Sequence, residues 1–470
     1  MYRLIPAIRR FLVPLLLLVL FFYLIETRRS IWANNDAFLQ ILAAEGLLQK
    51  KGYGFTIGDT FISLGHRSPH TRWPPGLTLL AASMESFSVR PLEALSATLP
   101  WAGTLNLLLL MTLFVKRLNL APVEATVLAV AALGCGAYWQ WHGEVGTEPY
   151  FLVLLIVLLI LSTRRERAVK PISVFVTWLL TMFRTAGGYV AIALAVLWGW
   201  DQGKRFYGFV MRSIVAASVL MTPLIAFMAY FGLGQRHLGN PHANFIEQIT
   251  GQIFWLHEVI CPHTDFVNRF RPLGAALGGV ILAFTGWMAW RVYRHRGHIL
   301  NLTTAAFVLG TGYMVMLTIS ASRVGYDWAS VYRVSAMSLI LISIAFWGGA
   351  FEMAPSPRIR RFVLLTALAV GLFKLGYVMF RQNTPAHSKD YRTTIFSFRA
   401  YVSRLDGATV AICADDSHER GISYAILYGI KHGEAIPRPV RFNAFEERYP
   451  EAECYTVERK SGMWVRRGGL

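Results

Sequence analysis

Three carboxylates stand where apolar runs meet polar turns. Asp36 lies in Trp32-Ala33-Asn34-Asn35-Asp36-Ala37, and Glu144 and Glu148 lie in His142-Gly143-Glu144-Val145-Gly146-Thr147-Glu148-Pro149. A carboxylate beside a low-dielectric cavity can take a proton from a hydroxyl nucleophile or hold a divalent ion. Carboxylates at a membrane edge default to such a functional reading. Local sequence also offers plainer ones: Asp36 is a preferred helix-cap type, and the glycines, threonine and proline around Glu144 and Glu148 suit a solvated turn. Four arginines form a second constellation. Arg72 precedes Trp73-Pro74-Pro75-Gly76, Arg184 lies in Met182-Phe183-Arg184-Thr185-Ala186-Gly187-Gly188, and Arg323 and Arg333 flank Val324 to Tyr332. Singly, each reads as an interfacial anchor. Several on one face suit an anionic lipid headgroup, because guanidinium meets phosphate through paired hydrogen bonds. His257-Glu258 with Cys261 and His263 lacks a standard metal-ligand spacing, and there is no P-loop, dinucleotide fingerprint or zinc pattern.

The elements that must position these groups are apolar helices. Hydrophobic residues make up 54% of the 470 and charged ones only 16%, against about 25% in soluble domains; mean hydropathy is +0.43. Runs near the ~20 residues that cross a bilayer recur at 11–25, 93–115, 121–139, 149–163, 171–183, 186–200, 209–231, 273–292, 302–320, 331–350 and 361–379. This predicts an all-α polytopic membrane protein of about eleven transmembrane helices. Short runs, as around 171–200, must pack on neighbours or line a cavity. The first apolar run, Phe11 to Ile25, follows Arg9-Arg10 and lacks a small-residue cleavage site, so it reads as an uncleaved helix.

Loop charge sets the expected orientation. Arg9-Arg10, Lys116-Arg117, Arg164 to Arg167, Lys204-Arg205, Arg291 to Arg296 and Arg358 to Arg361 alternate with the spans. Placing all six in the cytoplasm gives a cytoplasmic N-terminus and an extracytoplasmic C-terminus, in a bacterial inner membrane. The net charge of +19 therefore reflects cytoplasmic loops, and no nucleic-acid partner is expected. The candidate residues fall on the outer face.

The expected organisation is a transmembrane domain over 1–380 and a small extracytoplasmic α/β domain over 381–470. The first outer loop, 26–92, holds a helix from Asp36 to Lys50 and an interfacial helix from Leu77 to Phe87, too short to span. A second large outer loop covers 232–272. In the tail, Ala408 to Ala414 reads as a strand and Ser417 to Ile430 as a helix. Among four cysteines, Cys413 and Cys454 share this small domain and form the disulfide candidate.

In this arrangement the chain resembles the GT-C superfamily of membrane glycosyltransferases, in particular the bacterial protein-mannosyltransferase-like and aminoarabinose-transferase-like group. The resemblance rests on Asn35-Asp36-Ala37 opening a helix that ends at Lys51-Gly52-Tyr53-Gly54, on Arg72-Trp73-Pro74-Pro75-Gly76-Leu77, on Gly146-Thr147-Glu148-Pro149-Tyr150 and on Phe183-Arg184-Thr185. It covers 30–200 best and continues to about 380 as shared topology, with Tyr332-Arg333 as a late motif. It implies inverting transfer of a sugar from a polyprenyl-phosphate donor to a lipid, glycan or protein acceptor. Asp36 would be the general base, assisted by Glu148 or Glu144, with Arg184, Arg333, Arg72 and Arg323 binding the donor phosphate. Whether Asp36 and Glu148 hold a divalent cation, Mg or Mn, stays open, because Asn35 stands where a paired acidic residue is expected. A transporter or flippase of a lipid-linked glycan is the rival; it predicts mid-bilayer polar residues and two related halves, neither of which is evident. A non-catalytic envelope-polysaccharide assembly protein is the third reading.

Overall fold

The computed structural model describes residues 4–57, 60–63, 74–164, 169–202, 206–231, 245–262, 267, 269–324, 328–381 and 390–405, and in the tail 410–413, 417–433, 436, 440–443, 454–457 and 464–466. Helices dominate. In chain order they are α1 (Leu4–Glu26), α2 (Asn35–Leu48), α3 (Gly76–Ser86), α4 (Pro91–Leu118), α5 (Pro122–Leu133), α6 (Gly136–Trp141), α7 (Glu148–Ser162), α8 (Val169–Phe183) and α9 (Gly187–Gln202). They continue with α10 (Phe206–Phe231), α11 (Phe245–Trp255), α12 (Arg271–Arg296), α13 (Leu302–Val324), α14 (Trp328–Glu352), α15 (Pro357–Arg381), α16 (Tyr391–Val402) and α17 (Ser417–Lys431). A 3-10 turn, Leu256–Val259, follows α11.

Among the described residues, five helical stretches are long and apolar enough to cross a bilayer: Pro91–Leu118, Phe206–Ala229, Arg271–Arg296, Leu302–Ser322 and Ser335–Glu352. Shorter apolar helices pack among them, including Glu148–Ser162 and Gly187–Asp201. Leu, Val and Phe side chains remain exposed along α1, α10, α12 and α15, as lipid-facing surfaces require. The chain is a multi-pass membrane protein.

Two helix ends show how sequence stops these helices. α4 closes at Asn119, a left-handed C-cap (φ 54°), after Lys116 and Arg117. α12 closes at Gly297 (φ 68°) after Arg294, His295 and Arg296. Left-handed caps suit Gly and Asn, and cations suit helix C-termini.

The apolar run at 121–139, expected as one span, is two helices. α5 stops at Leu133 and α6 restarts at Gly136. At the break, the Gly134 N–H turns back to Val130 O (2.9 Å).

The segment between α1 and α4 contains the expected helices α2 and α3 and a hairpin, β1 (Gly54–Ile57) with β2 (Thr60–Ser63), pairing Phe55 with Ile62. Between α2 and β1 the chain reverses through Gly52 (φ 107°), a left-handed geometry that favours glycine. The reversal lays Gly54 on α2 so closely that a Cβ on Gly46 would sit 2.2 Å from Gly54 O.

The tail carries β3 (Val410–Cys413), β4 (Val440–Asn443), β5 (Cys454–Val457) and β6 (Trp464–Arg466) in the order β4-β3-β5-β6. β3 pairs in parallel with β4 and β5, and β6 is antiparallel to β5. α17 makes the crossover from β3 to β4, as parallel pairing needs. Cys454 stands opposite Ala411, two residues before Cys413 on the neighbouring strand. The side chains of both cysteines, and with them the expected bridge, lie outside the described residues.

Candidate active site

The segment between α1 and α4 meets the acidic loop through the backbone. Ser30 donates to Gly143 O from both its N–H (2.8 Å) and its hydroxyl (2.9 Å), across 113 residues of sequence. Asn34 N–H donates to Val145 O (3.1 Å) and Val145 N–H to Trp32 O (2.7 Å), giving a parallel bridge between Ala33 and Val145. This two-strand contact places the start of α2 beside the start of α7.

α2 then begins. Its cap is Asn34, with extended backbone (φ −66°, ψ 161°) and a side-chain Oδ1 that accepts Ala37 N–H at 3.0 Å. The capping role that local sequence offered to Asp36 thus falls two residues earlier. Asp36 sits in the first turn, half-buried.

Glu148 opens α7 with 2% exposure. Its Oε1 lies 2.6 Å from Nη1 of Arg184, which also donates to Thr147 Oγ1 at 2.9 Å. Arg184 occupies the reversal between α8 and α9, closed by Gly187 N–H to Arg184 O (2.8 Å). A Cβ on Gly187 would meet Leu180 O at 2.6 Å, so the reversal depends on glycine there. Gly146 is equally confined: its Cβ would lie 2.5 Å from Glu148 Oε2 and 2.7 Å from Asn34 Nδ2. A small pocket here is lined by Asn34, Gln140, Trp141, Glu144 and Glu148.

Neighbouring groups fix the loop from behind. His142 is buried, with Nδ1 2.7 Å from Tyr138 O, and burial pulls its pKa down to about 4, leaving it neutral. Tyr53, at the end of the α2 reversal, is buried, and burial pushes its hydroxyl well up. Gly76 abuts the Arg184 reversal, where its Cβ would stand 2.6 Å from Met182 O. The Pro-Pro-Gly segment therefore ends beside Arg184. Arg72 itself lies outside the described residues. Arg323 ends α13 and Arg333 falls in the early turns of α14; their side chains lie outside the described residues.

The tail closes over this end of the bundle. A Cβ on Gly421 of α17 would stand 2.5 Å from Asn35 Oδ1. Glu45 of α2 pairs with Lys431, and Glu85 of α3 lies 3.6 Å from His432 Nε2. Glu93 of α4 accepts from the hydroxyls of Tyr391 and of Tyr428 (2.9 Å), and Tyr428 Oη accepts Leu92 N–H (3.0 Å).

The structure thus brings Asp36, Glu144, Glu148 and Arg184 to one end of the fold. Sequence reasoning missed Asn34, Thr147 and Gly421. Asn34 and Thr147 lie inside the quoted motifs and were within reach; nothing local marks Gly421. A divalent ion fits poorly at Glu148, because one of its oxygens already meets a guanidinium and two cations would compete for the carboxylate. Among the described residues no three of His, Cys, Asp and Glu gather as a metal set.

No protein-family model matches the chain, and no curated protein sequence matches it. Two solved structures are similar. One is ArnT from Cupriavidus metallidurans in the apo state, with a TM-score of 0.55 and 11% identity over 93% of this chain and 86% of that one. The other is the same protein bound to undecaprenyl phosphate, with a TM-score of 0.50 and 12% identity over the same shares. The chain shares its fold with ArnT.

Proposed function

We propose that this protein is a membrane glycosyltransferase, moving a sugar from a polyprenyl-phosphate donor to an acceptor hydroxyl on the outer face of a bacterial inner membrane. The observation that carries the reading is the Ala33–Val145 bridge, which sets Asp36 beside a loop whose Glu148 is paired with the buried Arg184. The likeness in fold to a protein that binds undecaprenyl phosphate supports the donor class.

In this reading the acceptor oxygen attacks the anomeric carbon from the side opposite the phosphate. The new C–O bond forms as the bond to phosphate breaks, with inversion. The hydroxyl proton passes to Asp36, and the electron pair leaves on the polyprenyl phosphate. Arg184 offsets the negative charge that develops there, as preorganised donors do. Glu148 and Thr147 fix the guanidinium's orientation, so less is lost to reorganisation on donor binding. Arg72, Arg323 and Arg333 would add to phosphate binding, and Glu144 would help seat the acceptor. No step runs through a metal. The N-terminus lies in the cytoplasm and the 381–470 domain outside, over about eleven spans.

The test is transfer by purified protein from lipid-linked sugars, wild type against Asp36→Asn. Removal of a general base lowers kcat by about 10²–10⁴. Full activity in a well-folded Asp36→Asn protein would end the general-base role.

A further inference from the structure

The most deeply buried charges in the described chain lie away from the acidic loop. Lys374, on α15, and Glu258, in the 3-10 turn after α11, are both 0% exposed. Charged side chains in a membrane protein's interior are costly and persist with partners. Here the partners include main-chain groups on both sides of the break between α5 and α6. Lys374 Nζ donates to Ala131 O (3.0 Å), in the last turn of α5, and to Val259 O (2.9 Å). Carbonyls in a helix's last turn have no partner within the helix. Glu258 Oε2 accepts the N–H of Gly136 (3.0 Å), the first residue of α6, whose amide is unpartnered for the same reason. One side of the break is thus held by Lys374 and the other by Glu258. Val259, next to Glu258, ties the two holds together. The three contacts span 243, 115 and 122 residues, so distant segments of the chain meet at this break. The turn itself is tight at Gly134, where a Cβ would stand 2.9 Å from Val130 O.

α6 is six residues long and leads directly into His142 and the Glu144–Glu148 loop. We propose that Lys374 and Glu258 are positioning residues: they lock the α5–α6 break and, through the short rod of α6, aim the acidic loop at Asn34 and Asp36. This rests on the reading of that loop as the active site.

Cys135, the residue before Gly136, is 1% exposed and reports the lock directly. With Cys261, Cys413 and Cys454 changed to Ser, it is the one thiol left of four. Its labelling by N-ethylmaleimide in the intact protein measures opening of the break. Glu258→Leu deletes the acceptor for Gly136 N–H, whereas Glu258→Gln keeps an oxygen in its place. Glu258→Leu and Lys374→Met are expected to speed labelling about tenfold, the scale of losing one hydrogen bond in a local opening equilibrium. Glu258→Gln should label within about twofold of wild type. In transfer assays Glu258→Leu should lower kcat about tenfold with the donor KM little changed, and Glu258→Gln should restore it. Wild-type labelling of Glu258→Leu overturns the lock, as does Gln behaving like Leu. If Lys374→Met does not fold, the Leu and Gln pair decides alone. Labelling that follows the prediction while the wild-type protein shows no transfer keeps the lock and refutes the glycosyltransferase reading.

Discussion

The Arg184–Glu148 pair can be tested as a quantity. Its atoms are 2.6 Å apart, and its side chains are 10% and 2% exposed. At that burial each charge has lost most of its hydration, so the pair's net worth is far below its Coulomb attraction. Removing one partner is a different perturbation, because it leaves the other charge buried without this ion pair. Glu148→Ala and Arg184→Met should each destabilise the protein by about 3–5 kcal/mol. Glu148→Gln keeps an acceptor for the guanidinium and should cost roughly half as much. The double replacement Glu148→Ala with Arg184→Met removes both charges, and these two singles, the double and wild type make the four corners of a cycle, the double falling within about 2 kcal/mol of wild type. Thermal unfolding of the four proteins in one detergent closes the cycle, with a coupling energy of at least about 2 kcal/mol expected. Additive single effects, or a Glu148→Ala protein within about 0.5 kcal/mol of wild type, would show that the pair does not hold α7 to the α8–α9 reversal.

Two further outcomes follow from geometry on the same face. Gly146→Ala puts a methyl 2.5 Å from Glu148 Oε2 and 2.7 Å from Asn34 Nδ2; forcing both aside should cost about 1–3 kcal/mol and lower transfer, and an unaffected protein would show that the loop adapts freely. Burial, and next the charge of Glu45, push Glu85 up to about 7, with Lys431 opposing. A carboxyl whose folded pKa is raised contributes stability that is full below its unfolded value near 4.5 and is lost as pH rises through about 7. Glu85→Gln should therefore flatten the decline in stability between about pH 4.5 and 7, read as melting temperature against pH; an unchanged slope would remove Glu85 as its source.

Much of the site end was legible because its signals are local and cumulative. Loop charge sorts the turns to two sides, and that alone puts Asp36, Glu148 and Arg184 on one face. Their meeting needed the Ala33–Val145 bridge, which leaves no pattern in either segment. Capping was misplaced for a simple reason: Asn34, Asn35 and Asp36 are all good cap residues, and only backbone dihedrals choose among them. The α5–α6 break was invisible in an apolar run whose interruption is held by Lys374 and Glu258, each more than a hundred residues away. Lys374 itself reads as a stray charge inside a span until its two carbonyl partners are known. Arg323 and Arg333 fall at the end of α13 and in the early turns of α14.

The pairing of Glu45 with Lys431 joins residues 386 positions apart. Chains emerge at about 5–20 residues per second, so roughly 20–80 s separate the synthesis of these two partners. For that interval α2 and its Asp36 turn stand ready but uncovered, while later helices are still being inserted. The site end of the molecule is finished last, from both ends of the chain at once. A protein truncated just before α17 would have threaded every spanning helix and still lack the roof over its earliest loop.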